Sequence, residues 1–157
     1  MLKICRDNWA KYSENLKNRL IKEYEKLENA ITYNNLVEFS IEEILNNDDS
    51  NTHWESKVDR EGDGITRIDN GCYQGTLLFV IPMVEYQPSS YEYLITYIEY
   101  GSCSYCDALE SVLYDYDSDE SDVIQGLLDI CKNLIFNIKR PYYEKYNISN
   151  DEWSEVK

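Results

Sequence analysis

Cys103 and Cys106, two cysteines with two residues between them, are the side chains whose type and spacing most directly suggest chemistry. They stand in the stretch Tyr100-Gly101-Ser102-Cys103-Ser104-Tyr105-Cys106-Asp107, after the apolar run Tyr91 to Tyr100 and before Ala108 to Tyr114. Those flanks read as a strand, a tight turn and a helix. A thiol at a helix start is acidified by the free N–H groups and the dipole, which is the basis of dithiol redox chemistry. Against redox catalysis, Asp107 adds negative charge beside the pair, and no alternating strand–helix–strand pattern surrounds it. Zinc is the cofactor these residues could take. The pair supplies two of four ligands, and Cys72, Cys131, Cys5 or His53 would have to complete the set. A purely architectural reading is also open: two small side chains packed beneath the sheet, with Ser102 or Ser104 as helix cap.

Other chemistries have less to work with. His53 is the sole histidine, so any Ser or Cys nucleophile has one candidate base. Gly62-x-Gly64 lacks the Lys-Ser/Thr of a phosphate loop. Asp115-x-Asp117-x-Asp119 begins like a calcium loop, but Glu120 and Gly126 stand where an EF-hand needs Gly and Glu.

Charge carries more information. The chain has 30 acidic and 15 basic residues and a net charge of −15. From Ile68 to Cys131, 64 residues, there is no Lys or Arg, while the same span holds twelve carboxylates. Ordinary surfaces mix both signs, so a strongly negative face is expected. Glu110, Asp115, Asp117, Asp119, Glu120 and Asp122 are its candidate partner-binding residues. Such a face repels phosphate backbones and anionic headgroups and steers the protein toward basic partners. Direct binding to nucleic acid or a membrane is therefore not expected. Binding to a basic protein that itself binds nucleic acid stays open.

The elements that must position these residues follow from periodicity. Trp9, Tyr12, Leu16, Leu20, Tyr24, Leu27 and Ile31 recur at helical steps, so residues 7–31 read as an amphipathic N-terminal helix. Its Lys residues lie mostly off that stripe. Ser40 and Glu43 match a capping box for a short helix through Leu45. Residues 53–100 form the sheet region. His53 to Val58 is a weak first strand, Ile65 to Ile68 a short extended piece, and Asp69-Asn70-Gly71 a turn. Thr76 to Ile81 reads as a central strand buried on both faces, and Tyr91 to Tyr100 as its antiparallel partner.

Residues 105–146 form the helical region. Ser121 is the expected cap of a last long helix through Ile138, with Lys132, Lys139 and Arg140 toward its C-terminal end. Pro141 stops it, and Tyr142, Tyr143 and Tyr146 fold back in a short turn or helix. The expected class is α+β: an antiparallel sheet of three to four strands packed by N- and C-terminal helices, in a single domain over residues 1–157. Five cysteines, no apolar leader after Met1 and no membrane-length apolar run suit a cytoplasmic setting.

Tyr73-Gln74-Gly75-Thr76, Tyr86-Gln87-Pro88 and the Tyr-Gly-Ser-Cys-Ser-x-Cys-Asp core at 100–107 together resemble a group of small phage proteins of unknown function. The resemblance covers roughly residues 70–113 and brings no catalytic role with it. It implies a phage or prophage origin, and small acidic phage proteins include inhibitors of host defence, among them anti-CRISPR proteins that imitate DNA. The functional expectation is a non-enzymatic inhibitor, in the cytoplasm of a host bacterial cell, of a basic host protein that binds nucleic acid, a CRISPR–Cas component being one such target. The alternatives are a thiol- or zinc-dependent module on Cys103 and Cys106, or a phage accessory protein whose charge serves solubility.

Overall fold

The sheet is the centre of the architecture. In the computed structural model, which describes residues 2–27, 30–47, 52–58, 64–103, 106–115 and 117–141, three antiparallel strands lie in the order β1 (Thr66–Asp69), β2 (Gly75–Pro82), β3 (Tyr93–Tyr100). Helices α1 (Leu2–Lys26), α2 (Tyr33–Ser40), α3 (Ala108–Leu113) and α4 (Glu120–Phe136) flank it. The α+β class therefore holds, with three strands among the described residues. Leu77, Phe79, Ile81, Leu94 and Thr96 face inward and are buried with Leu127, Leu134 and Ile135 of α4 in one hydrophobic cluster. Thr96 Oγ1 donates to the Leu134 carbonyl at 2.5 Å, so the polar side chain buried on that inner face is satisfied.

The other face of β2 is only half-buried at Leu78 and Val80, because the helices pack on one side. The expected two-sided burial of the central strand is corrected to one side. The free edge of β3 is closed by Lys139, which exchanges both main-chain hydrogen bonds with Ile95 at 2.8 Å. That placement also corrects the C-terminal helix: it ends at Phe136, and Lys139 and Arg140 lie beyond it, Arg140 over the Trp54 ring.

Three further expectations change. The N-terminal helix runs over Leu2–Lys26, not 7–31, and still buries Leu16 and Leu20. Thr32, with extended backbone, starts a second helix in a reciprocal capping box with Asn35. Ser40 is thus inside helical structure rather than an N-cap. Its hydroxyl is buried against the Cys131 thiol with no oxygen or nitrogen partner. The helix then widens into a π-helical turn over Ile41–Leu45, closed by Asn46 N–H on the Ile41 carbonyl at 2.9 Å.

Residues 53–58 form no strand but two isolated bridges, Trp54 to Met83 and Val58 to Ile65. Side chains take up the main-chain groups a ladder would use. Asn46 bonds both the N–H and the carbonyl of Trp54, and Glu38 accepts from Val58 N–H. Residues 61–63 and the C-terminal turn through Tyr142, Tyr143 and Tyr146 lie outside the described residues.

Cations concentrate in a half-buried network near α1 and α2. Arg19 pairs with Glu42 and Glu43, while Lys57 pairs with Glu38 and Glu42. Burial alone would raise the Glu42 carboxyl, but hydrogen bonds from Ser56, Lys57 and Arg19 outweigh it and hold it below 4.5. A carboxylate depressed in the folded state contributes stability above its unfolded pKa and loses it as pH falls through the folded one. Urea midpoints measured from pH 6 downward should therefore fall once pH drops below about 4.5. Glu42→Gln should flatten that part of the profile; an unchanged profile would remove Glu42 from the acid response.

Candidate functional site

The candidate site occupies the end of the molecule where β3 runs into α3 and α3 into α4. Its organising residue is Asp107. Its carboxylate is 6% exposed and caps α3 by accepting from Leu109 and Glu110 N–H at 2.9 Å each. Tyr33 at the start of α2 donates its hydroxyl to the same oxygen at 2.8 Å and accepts from Leu109 N–H at 3.1 Å. Burial, and next to it the Asp107 carboxylate, push the Tyr33 phenol well above the usual tyrosine range. The expectation that Ser102 or Ser104 caps this helix is overturned: Asp107 is the cap, and its carboxylate is hydrogen-bonded by α3 and Tyr33. Ser104 and Tyr105 lie outside the described residues.

The six candidate carboxylates are brought to one continuous stretch of chain and are exposed. Glu110 is on α3, Asp115 and Asp117 are in the connection, Asp119 caps α4, and Glu120 and Asp122 are in its first turn. Ser121 is not the cap, because Asp119 takes the extended N-cap conformation and accepts from Asp122 N–H at 3.0 Å. Negative charge in that first turn is favoured by the α4 dipole. Asp115 accepts from Ser118 Oγ at 2.8 Å and from Asp117 N–H at 3.2 Å, which holds its carboxyl below the ordinary range. Asp115 and Asp119 thus serve the turn and the cap instead of converging on one centre. Among the described residues the ion pairs fall on Arg19, Lys26, Lys57 and Arg67, and none involves these six carboxylates. Tyr114, 64% exposed, stands beside them.

Gly126 lets α3 lie close on α4: a side chain there would overlap the Val112 methyls. An open cleft of about 350 Å³ lies between the α2 start, β1 and α3. Its polar lining includes Asn34, Arg67, Asp107 and Glu110. Arg67 pairs with Asp69 at 3.3 Å, and Asp107 is held by Tyr33, so neither is poised for acid–base work.

The cysteines separate into two groups. Cys5 and Cys131 are buried, and burial raises both thiols, Cys131 to about 12. Cys72, Cys103 and Cys106 are exposed, so the pair does not pack beneath the sheet as the architectural reading expects. Cys103 and Cys106 Sγ lie 2.8 Å apart. Cys72 lies in the β1–β2 turn, near Tyr100. Among the described residues no group of three or more His, Cys, Asp or Glu converges as a metal site, so the further zinc ligands expected from Cys72, Cys131, Cys5 or His53 do not reach the pair. His53 is exposed and engages Val84 N–H through its main-chain carbonyl. No described helix is long and apolar enough to cross a membrane.

No family model, curated protein or solved structure matches the chain. Sequence reasoning missed Tyr33 and the capping role of Asp107. The Asp at 107 directly before an apolar helical stripe was the available signal for the cap; the 74-residue separation hid the tyrosine.

Proposed function

We propose that this chain is a non-enzymatic acidic binding protein of phage or prophage origin. It docks its α3–α4 edge on the nucleic-acid-binding surface of a basic host protein in the bacterial cytoplasm and thereby inhibits it. A defence effector such as a CRISPR–Cas component is the target class. One observation carries this reading: six exposed carboxylates on one continuous edge, inside a span from Ile68 to Cys131 without a Lys or Arg.

The physics is that of a polyanion. Nucleic acid offers basic grooves a dense row of negative charge, and a protein edge with uncompensated carboxylates presents the same sign. Complementary potentials accelerate encounter and reject acidic partners. Tyr114 adds a rigid aromatic contact of the type enriched at interfaces.

The test is capture of partners from host lysate, followed by a salt series and competition with DNA or RNA. The Debye length shrinks from about 10 Å at 0.1 M salt to about 3 Å at 1 M, so binding carried by this edge should be lost across that range. The retained protein should be basic, and nucleic acid and this chain should exclude one another on it. Salt-insensitive retention, or a partner that holds both at once, would sink the reading.

A further inference from the structure

We propose that Cys103 and Cys106 are a modification site: the two thiols close into a reversible intrachain disulfide by exchange with a small-molecule disulfide. The turn is already shaped for it. Cys106 and Asp107 N–H both donate to the Cys103 carbonyl at 2.9 Å, folding the chain back so that the side chains meet. Gly101 allows this fold, because a side chain there would collide with the carbonyl and Cβ of Cys106. The sulfurs stand 2.8 Å apart, and a disulfide needs about 2.05 Å, so closure is a side-chain adjustment of under 1 Å. A tetrahedral zinc with Zn–S near 2.3 Å would instead hold them roughly 3.8 Å apart and needs two further ligands. Among the described residues no third ligand is supplied.

Both thiols are exposed and therefore open to a soluble oxidant. Cys106 is the attacking group. The Cys103 thiol, and then the main chain of Cys103 and Ser102 and the Ser102 hydroxyl, hydrogen-bond to it and hold it below the ordinary thiol range. In the first step Cys106 thiolate attacks one sulfur of the small disulfide, giving a mixed disulfide and expelling one thiolate, which takes up a proton. In the second, Cys103, having lost its proton to solvent, attacks the Cys106 sulfur and expels the second thiol. Two protein thiols are oxidised and one small disulfide is reduced to two thiols.

The buried Cys5 and Cys131 cannot take part, and the exposed Cys72 is the internal control. The experiment is incubation of the reduced full chain with glutathione disulfide, acid quench, alkylation of remaining thiols and peptide mass analysis. The expected product has lost two hydrogens within the peptide that holds 103 and 106, and dithiothreitol restores it. Cys72→Ser should react identically. Cys103→Ser should stop at the mixed disulfide on Cys106, and Cys106→Ser should slow the first step roughly fivefold or more. The proposal is overturned if 103 and 106 stay fully alkylatable in excess disulfide, or if the product links Cys72 to either. It is equally overturned if the purified chain carries stoichiometric zinc that shields both thiols.

Discussion

Asp107→Ala should lower unfolding stability by about 2–4 kcal/mol, adding the loss of an N-cap, typically ~1 kcal/mol, to a buried hydroxyl left without its acceptor, ~1–3 kcal/mol. For a chain of this size that is roughly 5–15 °C in Tm. The site explains the size of the effect. One carboxylate oxygen receives the Tyr33 hydroxyl and two main-chain N–H groups, so a single truncation unmakes three hydrogen bonds and loosens α3 from α2. Tyr33→Phe removes one of the three and should cost about 1 kcal/mol. The double variant should cost less than the sum, because both side chains serve the same network. Asp107→Asn keeps an acceptor oxygen and should cost under half as much as alanine. Denaturant melts of wild type and the four variants decide the matter. An Asp107→Ala protein within 0.5 kcal/mol of wild type would mean that α3 is held without its cap.

That network also marks where reading the sequence stops. Long periodic segments were legible: Leu16 and Leu20 of the first stripe, the inward side chains Leu77, Phe79, Ile81 and Leu94 of the two paired strands, and the stripe Val123, Ile124, Leu127, Leu134 are buried in the fold. Their signal is local, since one element shows its own buried face. Ser40 misled because a Ser three residues before Glu has cap chemistry in any context. Thr32 starts the helix about two turns upstream, so Ser40 falls inside it and Glu43 turns to Arg19. His53 to Val58 misled for a related reason. Its alternation is real, but Asn46 and Glu38, from a preceding helical segment, take the main-chain groups. The acidic stretch was visible as composition. That Asp115 and Asp119 also fold it was not, because turn and cap bonds depend on backbone angles that composition does not state.

The double duty of those carboxylates makes a clean separation of charge from structure possible. Changing Asp115, Asp117, Asp119 and Asp122 together to Asn should weaken binding to the captured partner by roughly tenfold to several-hundredfold. This follows from about 0.3–1 kcal/mol for each exposed charge lost at an interface, ~1–4 kcal/mol in all. Asn is the appropriate replacement. It caps helices about as well as Asp, so α4 keeps its N-cap at 119, and at 115 the single amide oxygen keeps one of the two turn bonds that the two carboxylate oxygens accept from Ser118 and from Asp117 N–H. The fold should lose that one turn bond and the dipole contributions of Asp119 and Asp122, a small cost at an exposed helix start. Titrations at low and high salt complete the argument. The wild-type chain should lose affinity steeply with salt, and the quadruple variant should start weaker and fall less, because fewer charges are left to screen. Affinity and salt slope both unchanged, in a variant that melts like wild type, would move the interface off the α3–α4 edge.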